Sequence, residues 1–130
     1  PDGTGDITET HIAWRTTRGC AYVPSPIVEG DFFLVTSDNG IVSCFDADTG
    51  HRHWMERMAP HYSASPVSAE GRIYLTDDTG KTCIVRPAVE HDVIADNELG
   101  ENCYASPAIS QGQIFLRSES HLYCIGEKAQ

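Results

Sequence analysis

Short apolar runs bounded by polar turn residues recur along the whole chain, in the pattern of half-buried and buried strands. The clearest run over 32–37, 41–46, 72–76, 81–85, 113–118 and 121–125. Asp38-Asn39-Gly40 separates the first two and Asp77-Asp78-Thr79-Gly80 the next two. Asn-Gly supplies the positive φ angles of a tight hairpin, so each pair reads as two antiparallel strands. A second turn, Asp48-Thr49-Gly50, leads into a strand over 51–57 that carries Trp54. In the next copy Arg86-Pro87 takes the place of that turn, and the fourth strand is expected over 90–95. The segment 21–29 holds Pro24 and Pro26, which suits an edge or a bend rather than a central strand. No stretch requires a helix longer than one turn.

These elements repeat. Ser-Pro occurs at Ser25-Pro26, Ser65-Pro66 and Ser106-Pro107, at spacings of 40 and 41 residues. A tyrosine precedes each copy (Tyr22, Tyr62, Tyr104), and a glycine followed by a strand comes after it (Gly30, Gly71, Gly112). Four short antiparallel strands per repeat of this length make a propeller blade. The chain therefore reads as an all-β partial β-propeller of about three blades. The expected division is an outer strand of a preceding blade over 7–15, blades over 21–57 and 62–96, and an incomplete final blade over 104–126, all in one unit over 1–130. Trp14 and Trp54 each lie 11 residues before a Ser-Pro serine, which predicts that both fill wedges between blades; the next position in that series is Ala95. Because the chain begins without methionine, on what resembles the end of a repeat, it is expected to be part of a longer protein. Open edges and uncovered faces of such an arc would favour self-association.

Composition narrows the function. Nine basic residues stand against nineteen acidic ones, for a net charge of −10. That argues against nucleic acid, which needs clustered Lys and Arg. The stretch 90–101 carries five acidic residues and no Lys or Arg, and reads as a solvated face. No apolar run approaches the ~20 residues of a membrane helix. Five cysteines leave at least one unpaired within the chain, and no Cys-x-x-Cys supports zinc. Cys44, Cys83 and Cys124 hold related places and are expected as small buried side chains on inner strands. Cys20 and Cys103 are left unassigned.

Candidate chemistry is thin. His51 and His53 share one face of a strand, but a polar outer-strand face accounts for them. His61, His91 and His121 stand near turns. No Gly-x-Ser-x-Gly elbow or Gly-x-x-x-x-Gly-Lys loop occurs. The serines before proline are expected to bond the local backbone. No residue is assigned as catalytic, cofactor-binding or metal-binding, and no cofactor is expected.

The segment Asn39-Gly40-Ile41-Val42-Ser43-Cys44-Phe45-Asp46-Ala47-Asp48-Thr49-Gly50-His51-Arg52-His53-Trp54 resembles the repeat of pyrroloquinoline-quinone (PQQ) type propellers, through Gly40, Asp46, Thr49, Gly50 and Trp54. The whole chain is most similar to the branch related to the lipoprotein of outer-membrane β-barrel assembly, and within it to members from planctomycete-type bacteria. That resemblance implies an exported, periplasmic or envelope-located scaffold of seven or eight blades that binds a protein partner. The alternative it leaves open is the C-terminal part of a PQQ-dependent dehydrogenase whose active residues lie on other blades. Such enzymes use an adjacent cysteine pair, calcium ligands and a catalytic aspartate, none of which can be placed here. Asp46 matches a structural aspartate of the repeat, expected to bond the Thr49-Gly50 turn.

Overall fold

In the computed structural model, which describes residues 2–127, the described residues form eleven strands and no helix. They are β1 (Ile27–Glu29), β2 (Phe32–Thr36), β3 (Ile41–Asp46), β4 (Arg52–Arg57), β5 (Val67–Ala69), β6 (Arg72–Thr76), β7 (Lys81–Arg86), β8 (Asp92–Glu98), β9 (Ala108–Ser110), β10 (Gln113–Arg117) and β11 (Leu122–Ile125). Each pairs antiparallel with its neighbour in sequence, giving sheets β1-β2-β3-β4, β5-β6-β7-β8 and β9-β10-β11. The innermost strands β1, β5 and β9 lie side by side, so the sheets stack as successive blades of an open arc.

The principal core is the junction of the first two blades. Leu34, Val42 and Cys44 meet Ile73, Leu75 and Val85, with Trp54 and Tyr62 packed among them. Central strand β3 is buried on both faces, which is why Val42, Ser43, Cys44 and Phe45 are all excluded from water. Outer strand β8 is exposed along most of its length.

Two glycines fix how one blade passes to the next. Gly40 (φ 83°) closes its hairpin by donating to Ser37 O, and Gly80 (φ 84°) donates likewise to Asp77 O. The linkers leaving each blade press on these turns. A Cβ at Gly40 would lie 1.8 Å from Ala59 O, and one at Gly80 1.9 Å from Glu101 O. Asn39 does not share the positive φ; the glycine alone is left-handed, as in a type I turn with a bulge. The inner hairpins differ in where their glycine falls. Gly30 takes the first loop position in the first blade, whereas Gly71 and Gly112 take the second, behind left-handed Glu70 and Gln111.

Residues 7–15 are not a strand. An outermost strand is held only by its inner neighbour, and no described strand runs beside this segment. It closes locally instead, with the amides of Thr10 and His11 donating to Ile7 O. Trp14 still reaches the first blade, stacking on Phe45 (ring centroids 5.7 Å apart) and meeting Phe33 edge-on at 5.4 Å. The fourth strand of the second blade runs over Asp92–Glu98 rather than 90–95, because it follows β7 from Arg86 back to Lys81. Cys44 and Cys83 are buried, but Cys124 is exposed, since no described strand covers that side of β11. All five thiols are free.

Candidate functional site

The sequence signals that recur most often turn out to be joints between blades. The Ser25 amide donates to the Ser65 hydroxyl and the Ser65 amide to the Ser106 hydroxyl, each at 2.9 Å. The expected local bond is therefore not the one made. With proline next in the chain, the serine amide is the last donor before the inner strand, and the following blade supplies its acceptor.

A second set of joints lies at the β2–β3 and β6–β7 turns. Each linker is clamped between two successive turns. The linker at 58–63 is bound to the first turn by the amides of Met58 and Ala59, which donate to Gly40 O, and of Tyr62, which donates to Asp38 O. It is bound to the second turn through Asp78 N to His61 O and Ser63 N to Asp78 Oδ1 at 2.8 Å. Cys103 repeats the Tyr62 bond, donating to Asp78 O. Cys103 is thus the counterpart of Tyr62, and Tyr104 lies one residue out of register and is exposed.

Carboxylates carry these joints. Asp38 accepts from the amides of Tyr22 (2.7 Å) and Val23 (3.0 Å), and those bonds hold its carboxyl below the usual range. Asp46 accepts from the Thr49 hydroxyl and amide, as the repeat pattern predicts, and is lowered by them. Asp78 Oδ2 lies 2.7 Å from His61 Nδ1 and accepts from Ser63 Oγ at 3.1 Å. Glu101 holds Ser118, the Ser120 amide and His121, the Ser118 hydroxyl being the main cause of its lowered carboxyl. Both acid–histidine–serine groups have the carboxylate in the middle. A nucleophilic triad needs the imidazole there, between acid and hydroxyl. These groups are built to hold backbone, not to activate serine.

The remaining histidines are dispersed, with His11 paired to exposed Asp2 at 3.1 Å. His53 lies against Phe32 and beside exposed His51, while His91 packs on the Trp54 indole at 4.9 Å. Among the described residues no three His, Cys, Asp or Glu side chains converge as a metal site. Part of the acidic stretch is paired rather than merely solvated: Asp92 with Arg86, and Asp96 with Lys81 at 3.0 Å. No described helix is long and apolar enough to cross a membrane. One apolar cavity of about 220 Å³ opens between the second and third blades.

Sequence reasoning did not reach the serine ladder or the clamped linkers. The 40- and 41-residue spacing of the serines was the available signal, but a spacing alone does not say that the partners bond each other.

Comparison with known proteins agrees with this architecture. The family described as outer membrane protein assembly factor BamB matches residues 6–92 and 38–129. No curated protein matches in sequence. The crystal structure of BamB from Moraxella catarrhalis superposes with a TM-score of 0.67 at 14% identity, over 78% of this chain and 32% of that one. A europium-containing methanol dehydrogenase superposes with a TM-score of 0.51 at 12% identity, over 65% of this chain and 16% of that one. The chain thus spans about a third of the BamB structure it matches.

Proposed function

This chain belongs to the family described as outer membrane protein assembly factor BamB, and we propose that it is a non-catalytic propeller scaffold presenting blade-end loops to a protein partner in the cell envelope. One observation carries this reading. The polar groups that could do chemistry, Asp38, Asp78, Glu101 and the serines 65 and 106, are engaged in holding one blade or linker to the next. A repeat array with its reactive groups used this way is a platform, and recognition falls to the loops it displays. Exposed Tyr22, Val23, Val89 and Tyr104 are among the large apolar side chains available for recognition on those loops. The name of the family supports an envelope setting, and the arc is read as part of a larger ring.

The likeness to methanol dehydrogenase is one of fold. The five cysteines at 20, 44, 83, 103 and 124 include no adjacent pair. Photo-cross-linking in envelope fractions tests the scaffold reading, with the cross-linker at Tyr22, Val89 or Tyr104 and at buried Leu34 as control. The reading expects one discrete protein adduct from at least one loop position and none from Leu34. No adduct from any loop position contradicts it.

A further inference from the structure

Among the described residues the first and third blades each leave one face without a blade against it. These two faces are the two halves of a junction the chain already makes. Where the first blade meets the second, Leu34, Val42 and Cys44 pack against Ile73 and Leu75. In the third blade Phe115 pairs with Cys124 and Arg117 with Leu122, as Leu34 pairs with Cys44 and Thr36 with Val42. Phe115, Leu122 and Cys124 thus repeat the first half of that junction, but Leu122 is 72% exposed and Cys124 is exposed with it. At the other end of the arc Phe33 and Val35 pair with β3 as Ile73 and Leu75 pair with β7, and so repeat the second half. Trp14 covers part of that face, and an apolar cavity of about 250 Å³ opens between Trp14, Pro24, Phe33 and Val35.

Two further features run off the ends in step. The serine ladder leaves a donor at one end, the Ser106 amide, and an acceptor at the other, the Ser25 hydroxyl. Trp14 bonds Ala47 O as Trp54 bonds Ala88 O, so it holds the place of a fourth-strand tryptophan although no described strand runs beside it. At the far end β11 is the outermost described strand of its sheet. Trp54 pairs with Cys44, and Glu56 with Val42. A third blade docked on the free face of the first therefore brings Cys124 opposite Trp14 and Leu122 opposite Thr16.

We propose that a second copy of this chain closes the arc. The third blade of each copy docks on the first blade of the other, and residues 12–16 of each add a fourth strand to the other's β11. A second copy supplies both halves in matching register and continues the interface the blades already make. Closure fixes the number of copies. Propellers hold roughly four to eight blades. With three sheets per chain, two copies make a ring of six blades, whereas a third copy exceeds the range. Head-to-tail contacts either close or run on as fibres, and the closed form is the one proposed. The inference deepens the reading of the arc as part of a larger ring and does not depend on what the loops recognise.

Sedimentation of the full chain across a concentration series is the test. The expected result is one step from 14.2 kDa to twice that mass. The Cys124 thiol, exposed in the single chain, should react more slowly as the dimer fills. Leu122→Glu should keep the strand signal in circular dichroism and weaken association at least tenfold. Register is read by disulfide formation between chains carrying Thr16→Cys and chains carrying Leu122→Cys, both with Cys20→Ser and Cys124→Ser. The mixture should give a cross-linked dimer, and Leu122→Cys chains alone or mixed with Val93→Cys chains should not. A monomer at every concentration overturns the proposal and leaves both faces to further blades of a longer polypeptide. Growth beyond the dimer overturns closure. A folded Leu122→Glu chain that associates as wild type does, a missing mixed disulfide, or a disulfide in either control overturns it equally.

Discussion

The backbone amide of Ser25 donates to the hydroxyl of Ser65 at 2.9 Å, 40 residues further on and one blade around the arc. The bond is repeated from Ser65 to Ser106, so a single serine both accepts from the blade behind and donates to the blade ahead. This makes an asymmetric prediction. Ser65→Ala removes the acceptor and leaves the Ser25 amide unpaired, at a cost of about 1 kcal/mol. Ser25→Ala keeps the donating amide and should cost less than about 0.5 kcal/mol. Urea unfolding of the two variants separates them, and equal losses would mean the ladder contributes nothing.

Trp54 donates its indole N–H to Ala88 O at 3.0 Å, and Trp14 donates to Ala47 O at 2.8 Å. The two rings thus dock one blade onward in the same way, but Trp54 is 8% exposed and Trp14 only half-buried. Trp54→Ala should cost about 3–5 kcal/mol, and Trp14→Ala less than about 3. His51→Ala, on an exposed ring before the strand, should stay within about 0.5 kcal/mol. Thermal unfolding followed by circular dichroism gives the order.

Thiol reactivity should divide by burial. Burial pushes the Cys44 thiol up to about 11 and Cys83 up to about 12, and Cys103 is also raised by burial. The reacting species is the thiolate, so these three should be slow. Titration with Ellman's reagent at pH 8 should show two fast thiols, the exposed Cys20 and Cys124, and all five after unfolding in urea.

Stability should fall in acid. Asp38, Asp46 and Asp96 are held below their ordinary 3.8, and Glu101 below its ordinary 4.5. The folded state therefore binds fewer protons than the unfolded one in that range. The stabilisation is complete above the unfolded values and is lost as pH falls through the lower, folded ones. Melting temperatures from pH 6 to pH 3 should drop, and Asp46→Asn should show a shallower drop. That comparison sets aside the general loss of negative charge repulsion, which both proteins share.

Most of the fold could be read from the sequence because its signals are local and repeated. The boundaries 41–46 and 72–76 coincide with β3 and β6, since turn residues bracket each run. The strand expected over 7–15 failed for a physical reason: a strand is a pairing, and its apolar pattern does not supply a partner. Cys124 failed similarly, because burial on β11 depends on a neighbour rather than on its own strand. The roles of Ser65 and Asp78 were hidden because their partners are distant in the chain and are backbone groups, which have no sequence signature.

The proposed role is that of a platform for a protein partner rather than part of a redox centre. Calorimetric titration of the chain with PQQ in the presence of calcium, with dye reduction followed in the same samples, tests it most directly. The account predicts no saturable heat and no dye reduction above a protein-free control with either alcohol or sugar. Saturable binding with calcium-dependent dye reduction would contradict it and would place the chain among the quinoprotein enzymes.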